Sequence, residues 1–256
     1  LFMCGIVGYF GFHNSHRKIS SDELMSMTSI QSHRGPDDWG SILFLRQRRS
    51  LSQYSRVNPF LETTYGDVGL GHRRLSIIDL SERGRQPMGT EDGLVWIVYN
   101  GEVYNYLELR SELIGLGYVF HTTTDTEVVL KSYAAWGEQC FGKFNGMWAL
   151  AIYDRRSEEL VLSRDRFGKK PLFYWEDGEG LLFASEIKAI FNYPGIEKEL
   201  NLKKIADYAG RHYRYVDNDE ESFFQRIRQV PKSSYMLTAA DGKRASRRYW
   251  RLDPYP

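Results

Sequence analysis

Cysteine is scarce in this chain: only Cys4 and Cys140 occur among 256 residues. Two cysteines do not build a disulfide framework, and no CxxC pair is present. A reducing cytosol therefore suits the chain best, and cytoplasmic localisation is the expectation. There is no run of about 18 apolar residues, so no membrane-spanning helix is expected. The first residues lack the charged and apolar segments of a secretory signal. The six histidines (His13, His16, His33, His72, His121 and His212) show no paired spacing, so no metal site is expected. A formal net charge of +1 leaves no bulk electrostatic drive toward nucleic acid or membrane. Internal repeats and low-complexity segments are absent too. What remains is a chain long enough to bury a full core, as one large domain or as one domain with an appendage.

Residues 4–10 read as a strand, with Ile6, Val7, Tyr9 and Phe10 between glycines. Ser20-Ser21-Asp22-Glu23 opens a helix that carries Leu24, Met27 and Ile30 at helical spacing. Residues 40–45 form a short apolar strand. The polar stretch 46–67 holds Arg46, Arg48, Arg49 and Arg56. Its basic character admits a phosphate ligand, but a solvated surface insertion is the simpler reading. Residues 68–80 and 94–100 are strands. Tyr106, Leu109, Leu113 and Leu116 mark an amphipathic helix ended by Gly117. Thr124-Asp125-Thr126-Glu127 matches a capping box opening a further helix. Strands follow at 147–153, 160–163, 172–175 and 181–184, then short helices at 186–192 and 202–209. Residues 223–250 read as extended chain with a hairpin at Asp241-Gly242. Many strands, helices at both ends and few βαβ units favour a mixed α+β fold over a doubly wound one.

Cys4 stands almost at the chain start, behind Leu1-Phe2-Met3. A cysteine there serves as a terminal nucleophile once the residues before it are removed, its own α-amine acting as the base. A free α-amine has a pKa of roughly 8, whereas a peptide nitrogen has no useful basicity. The plain alternative is a small buried cysteine opening a strand.

Four further segments carry groups that packing alone would not select. Arg73-Arg74 lies in the strand Gly-His-Arg-Arg-Leu-Ser-Ile-Ile-Asp, and Asn100-Gly101-Glu102 follows an apolar strand. Asp125 sits in the first turn of a helix, and His33-Arg34-Gly35-Pro36-Asp37 forms a turn after the first helix. Hydrolysis of a primary amide on an amino acid needs a thiolate and two oxyanion donors, plus an Arg fork for the α-carboxylate and an acid for the α-ammonium. Cys4, Asn100, Gly101, Arg74 and Asp125 supply one of each. Each also has an ordinary reading: Arg74 bridging Asp79 at the surface, Asn100-Gly101 as a hairpin turn, Asp125 answering the helix dipole.

In order along the chain stand Met-Cys-Gly-Ile-Val-Gly, His-Arg-Gly-Pro-Asp, Arg-Leu-Ser-Ile-Ile-Asp, Tyr-Asn-Gly-Glu-Val-Tyr-Asn and Thr-Asp-Thr-Glu-Val. Gly-Met-Trp-Ala-Leu-Ala-Ile-Tyr-Asp, Ser-Arg-Asp-Arg-Phe-Gly-Lys-Lys-Pro-Leu-Phe-Tyr and Ala-Ser-Glu-Ile-Lys-Ala-Ile follow. This series resembles the glutamine amidotransferase domain of glutamine-hydrolysing asparagine synthetases, class II enzymes of the N-terminal-nucleophile (Ntn) hydrolase superfamily. The resemblance runs from Cys4 to about the chain end. It implies an αββα sandwich, two antiparallel sheets flanked by helices. It casts Cys4 as nucleophile, Asn100 and Gly101 as the oxyanion hole, and Arg74 as holder of the glutamine carboxylate. Glu102 and Asp125 would hold the amino group. Backbone atoms of Leu75, Ser76, Ile77 and Ile78 would line the pocket, and Arg34 would brace the nucleophile's turn.

The implied organisation is a removable extension at 1–3, a glutaminase domain at 4–215 and an extended or hairpin connector at 216–256. The resemblance also implies a downstream synthetase domain of the same parent chain, with a Ser-Gly-Gly-x-Asp-Ser nucleotide loop. No such run occurs here. No cofactor is expected in the glutaminase half, ATP and Mg²⁺ being needed only by the synthetase domain. Glutamine is the expected partner, nucleic acid and membrane are not, and homodimer formation is left open. Two alternatives stand: an amidotransferase half serving a sugar or phosphoribosyl acceptor, or a silent glutamine-binding module if Cys4 stays blocked.

Overall fold

Branched and aromatic side chains alternating about glycines make β1 (Gly5–Gly11) a strand buried along its whole length. The computed structural model describes residues 3–47, 50–56, 58–59, 62–75, 84–211 and 219–253. After β1 come β2 (Ile19–Ser20), α1 (Ser21–Ser29), β3 (Asp38–Leu45) and β4 (Ser50–Ser55). Then follow β5 (Tyr65–Gly66), β6 (Val68–Arg74), β7 (Met88–Gly89) and β8 (Val95–Val103). Helices α2 (Tyr106–Gly115), α3 (Asp125–Trp136) and α4 (Cys140–Lys143) precede β9 (Gly146–Asp154), β10 (Glu159–Arg164), β11 (Phe173–Glu176) and β12 (Gly180–Ala184). The rest is α5 (Ile187–Ile190), α6 (Leu202–Arg211), β13 (Ile227–Gln229), β14 (Ser234–Ala239) and β15 (Arg244–Arg248).

Among the described residues the strands form two large antiparallel sheets and a small two-stranded one. The first runs β13-β11-β12-β1-β6-β3-β4, the second β15-β14-β10-β9-β8-β7. Side-chain alternation sorts the core into three layers. Ile6, Phe10, Leu70 and Phe44 of the first sheet meet Trp96, Val98, Ala151 and Tyr153 of the second between the sheets. On the outer side of the first sheet, Val7 and Tyr9 pack with Leu24 and Met27 of α1 and Ile190 of α5. Beyond the second sheet, Ile97 and Tyr99 pack with Leu109 and Leu113 of α2 and Val129 of α3. The molecule is thus the αββα sandwich of antiparallel sheets, in the α+β class.

Local chemistry explains the helix starts. The Ser20 hydroxyl accepts from the Glu23 N–H at 3.1 Å while Glu23 accepts from the Ser20 N–H at 2.8 Å, a complete capping box before α1. The box expected before α3 forms only in half. Thr124 accepts from the Glu127 N–H, but the Glu127 carboxylate turns to the N–H groups of His121 and Thr122. Those two amides lie at the end of the α2–α3 connection, where no strand can satisfy them.

The stretch read as a surface insertion contains β4, paired to β3 in register from Gly40↔Ser55 to Leu45↔Ser50. Its sequence, Ser-Leu-Ser-Gln-Tyr-Ser, is polar because β4 is an edge strand with one face in water. The strand expected over 68–80 is β6 as far as Arg74; residues 76–83 lie outside the described ones. From Ile227 onward the chain adds β13 to the first sheet and β14 and β15 to the second, with the β14–β15 turn at Asp241-Gly242.

Gly8 marks where β1 leaves no room for a side chain. A Cβ there would lie 2.4 Å from the Phe183 ring and 2.5 Å from the Gly69 carbonyl oxygen. Gly8→Ala is therefore expected to lower unfolding free energy by about 1–3 kcal/mol, as overpacking does. Urea denaturation measures it, and an unchanged midpoint would contradict this close packing.

Candidate active site

The register of β1 and β6 sets Gly5 beside Arg73 and Ile6 beside His72. Period-2 alternation then turns His72 and Arg74 toward the gap between the sheets, as it does Leu70, and Cys4 follows Ile6 to the same side. On the facing sheet Asn100 shares the face of Trp96 and Val98. Cys4, His72, Arg74 and Leu75 accordingly line one pocket with Gly101, Glu102 and, from the start of α3, Thr124, Asp125 and Thr126. The pocket is small, about 90 Å³. A cleft of about 620 Å³ beside Phe167, Lys232 and Arg248 is larger, yet it gathers no thiol. Chemistry, not size, selects the first.

Cys4 is half-buried. Its Sγ accepts from the Leu75 N–H at 3.4 Å. Burial pushes its thiol pKa up, while the Leu75 N–H and the cations Arg74, Lys170 and Arg34 pull it down. The 30–36 turn braces it from behind. Arg34 Nε donates to the Cys4 carbonyl at 2.9 Å and its Nη1 reaches Glu186 at 3.0 Å. The Met3 N–H donates to the Arg34 carbonyl at 3.1 Å. In the same turn the Gly35 carbonyl accepts from Arg73 Nε at 3.0 Å. Arg34 thus occupies the bracing position expected of it.

Asn100 is only 2 % exposed, and its Nδ2 has no hydrogen-bond partner. Buried amide donors are nearly always satisfied, and among the described residues this one is not. Asn100 and Gly101 lie within β8, paired to Ala149 and Trp148, which excludes the hairpin-turn reading. Arg74 is buried, not on the surface, and its alternative partner Asp79 lies outside the described residues. Gly84 gives it space: a Cβ at that position would sit 2.4 Å from Arg74 Nη2.

Asp125 does more than face a helix dipole. Its Oδ2 accepts from the Tyr99 hydroxyl at 2.8 Å and the Val103 N–H at 3.1 Å, tying α3 to β8. Burial raises its pKa, those two bonds oppose the rise, and the neighbouring Glu102 adds to it. Glu102 stands exposed at the rim. Of the expected pocket backbone, Leu75 is present, whereas Ser76, Ile77 and Ile78 lie outside the described residues.

The sequence reading missed His72, Gln86, Tyr99, Thr126 and Lys170. His72 donates from Nε2 to the Tyr99 carbonyl at 3.2 Å, so Nδ1 carries the lone pair. Burial pushes its pKa down to about 3, which keeps it neutral. Gln86 Oε1 accepts from the Tyr99 N–H at 2.6 Å, standing in for a strand partner. Tyr99 and His72 fall within apolar strands and read as core; nothing in their spacing sets them apart. Among the described residues no group of three or more His, Cys, Asp or Glu side chains could hold a metal ion. No helix of the described chain is long and apolar enough to cross a membrane.

This arrangement sets a thiol, a buried guanidinium and a buried carboxylate around one small cavity, with the buried Asn100 amide on the facing sheet. Comparison with known proteins places it. Residues 60–250 match the family model for the glutamine amidotransferase domain. The chain is 39% identical over 218 residues to a putative glutamine-hydrolysing asparagine synthetase 2 of Methanocaldococcus jannaschii, covering 80% of this chain and 38% of that protein. It is 34% identical over 259 residues to the glutamine-hydrolysing asparagine synthetase 3 of Bacillus subtilis, covering 98% of this chain and 37% of that protein. The chain thus spans little more than a third of these relatives. The glutamine phosphoribosylpyrophosphate amidotransferase structure from B. subtilis superposes with a TM-score of 0.69 at 19% identity, over 97% of this chain and 50% of that one. That likeness shows that the two share the fold described above. With the family model matched over most of its length, the chain belongs to the glutamine amidotransferase domain family.

Proposed function

We propose that this chain hydrolyses the side-chain amide of glutamine through a Cys4 thioester and so supplies ammonia. The observation that carries this reading is the convergence of Cys4, Arg74, Gly101 and Asp125 on one pocket, with the unpaired Asn100 amide on the facing sheet. The freed α-amine of Cys4 takes the thiol proton as sulfur attacks the amide carbon. Negative charge gathers on the carbonyl oxygen, where Asn100 Nδ2 and the Gly101 N–H donate to it. Ammonia departs with the proton returned by the amine. Water then attacks the γ-glutamyl thioester, releasing glutamate and the thiol.

Substrate recognition follows from charge. Arg74 takes the α-carboxylate, while Glu102 and Asp125 take the α-ammonium. An ammonium arriving beside Asp125 favours its ionised form, opposing the rise that burial imposes. The Leu75 backbone adds to the wall beside Cys4. Neither metal nor organic cofactor takes part in this half-reaction. Similarity to the asparagine synthetases makes aspartate the proposed acceptor, activated with ATP and Mg²⁺ elsewhere in the parent protein.

Two experiments test the reading. Ammonia release from glutamine is expected from a chain beginning at Cys4 and not from one that retains residues 1–3. Equal rates, with the extension intact by mass spectrometry, would mean a different base. In the processed chain, Cys4→Ala abolishes turnover but keeps glutamine binding. Asn100→Ala lowers kcat by about a hundredfold or more, as loss of an oxyanion donor does. Arg74→Ala acts mainly on KM, because the carboxylate contact is equal in ground and transition states. An Asn100→Ala enzyme changed only in KM would overturn the oxyanion assignment.

A further inference from the structure

The segment Ser-Arg-Asp-Arg-Phe-Gly-Lys-Lys-Pro-Leu takes no part in the chemistry above, yet Ser163, Arg164, Asp165 and Lys170 within it are buried. Asp165 is 0% exposed. Its Oδ1 accepts from the N–H groups of Phe167 and Lys169 at 2.9 and 3.0 Å, and its Oδ2 from those of Lys170 and Trp148 at 3.0 and 3.2 Å. Arg164 works on carbonyls in the same loop. It donates to Lys170 O at 2.9 Å, Gly168 O at 2.7 Å and Val230 O at 2.8 Å. One buried anion and one buried cation thereby fix the main chain of residues 165–170 from two sides.

The product of that clamp is the placement of Lys170. Its side chain is buried and makes no ion pair with any described residue. Lysine is almost never buried without such a partner. Its Nζ lies 3.1 Å from the Met3 Sδ, a weak acceptor on the residue joined to the Cys4 nitrogen. The charged groups around this spot are Arg34 from the 30–36 turn, Arg74 of β6, Glu102 of β8 and Asp165 of the loop itself. Arg34 is engaged by Glu186 and the Cys4 carbonyl, and Asp165 by four amides. Among the described residues, the only hydrogen-bond partner of the Lys170 ammonium is that thioether.

We propose that Lys170 is a positioning residue that acts electrostatically on Cys4, lowering the pH at which its amine–thiol pair sheds the first proton. This deepens the glutaminase reading and rests on it for the role of the amine. The sign follows from Coulomb's law. With both groups protonated the pair carries +1, and a neighbouring ammonium disfavours that state relative to the neutral pair competent for attack. The pair titrates as a unit, so the effect falls on its macroscopic first step. In a chain still bearing residues 1–3 there is no amine, and the same charge favours the thiolate alone.

The test uses K170M, K170Q and K170R in chains with and without residues 1–3. Iodoacetamide alkylation, located at Cys4 by peptide mass spectrometry, is followed against pH in all of them, and kcat/KM in the processed ones. Removing the charge is expected to move the alkylation midpoint, and the acid limb of kcat/KM, toward alkaline pH by about one unit or more. KM should stay near its original value and K170R should hold the original limb. A uniform loss of rate with unmoved midpoints would show a merely structural role and overturn the proposal. Should one uncharged variant not fold, the other carries the comparison. Activity in the extended chain would sink the base assignment, while alkylation of that chain still decides for or against Lys170.

Discussion

Pairing of β1 along both of its edges is the constraint on which the site depends. Val7 lies opposite Ala184 of β12 and opposite Gly71 of β6, so neither edge is free to slip. Its side chains are buried on both faces, Ile6 and Phe10 between the sheets, Val7 and Tyr9 beneath α1 and α5. Each such side chain contributes roughly 1.5–3 kcal/mol by burial. A slip of one residue would exchange the faces and turn Cys4 from the inter-sheet gap toward the helices. Cys4 is thus placed by the core packing of the strand that follows it.

Charge in the pocket is laid out in two halves. Arg74 lines it on the side of β6, with Arg34 and Lys170 behind Cys4 in the 30–36 turn and the 165–170 loop. Asp125 and Glu102 stand on the side of β8 and α3. On the proposed reading, a zwitterionic amino acid between these halves would pair its carboxylate with the first and its ammonium with the second, its side chain running toward Cys4. Neutral His72 beneath them adds no charge of its own. The low solvent exposure of Arg74 and Asp125 strengthens both contacts, since water no longer screens them.

Much of this was legible in the sequence because the site lies on regular elements. Cys4 precedes a strand whose alternation is plain, and Asp125 follows a Thr124 cap that announces a helix. The motif order gave the family resemblance and with it the sandwich. Other features stayed hidden for physical reasons. Strand β4 is polar because it is an edge, and polarity without alternation reads as loop. Glu127 abandons its capping role because two amides elsewhere need an acceptor, a demand visible only in three dimensions. Gln86 and Tyr99 meet through a side chain imitating a strand, which no periodicity records.

The least legible part is the Arg164–Asp165 pair. Adjacent residues of opposite charge suggest a surface bridge or a solvated turn. Here each is buried and bonds mainly to main chain. Bonds to charged groups are stronger than neutral ones, contributing about 1.5–3 kcal/mol each. Removing one member would strand several amides or carbonyls at once, so the loop has little freedom to take another shape. Such rigidity is more than a surface loop needs. It becomes intelligible at Lys170, where a buried ammonium must be kept beside Cys4 without a carboxylate to anchor it. Asp165 and Glu102 act on the lysine only through space, and no described carboxylate makes an ion pair with it. Holding the backbone instead of the charge fixes the position and leaves the charge unspent.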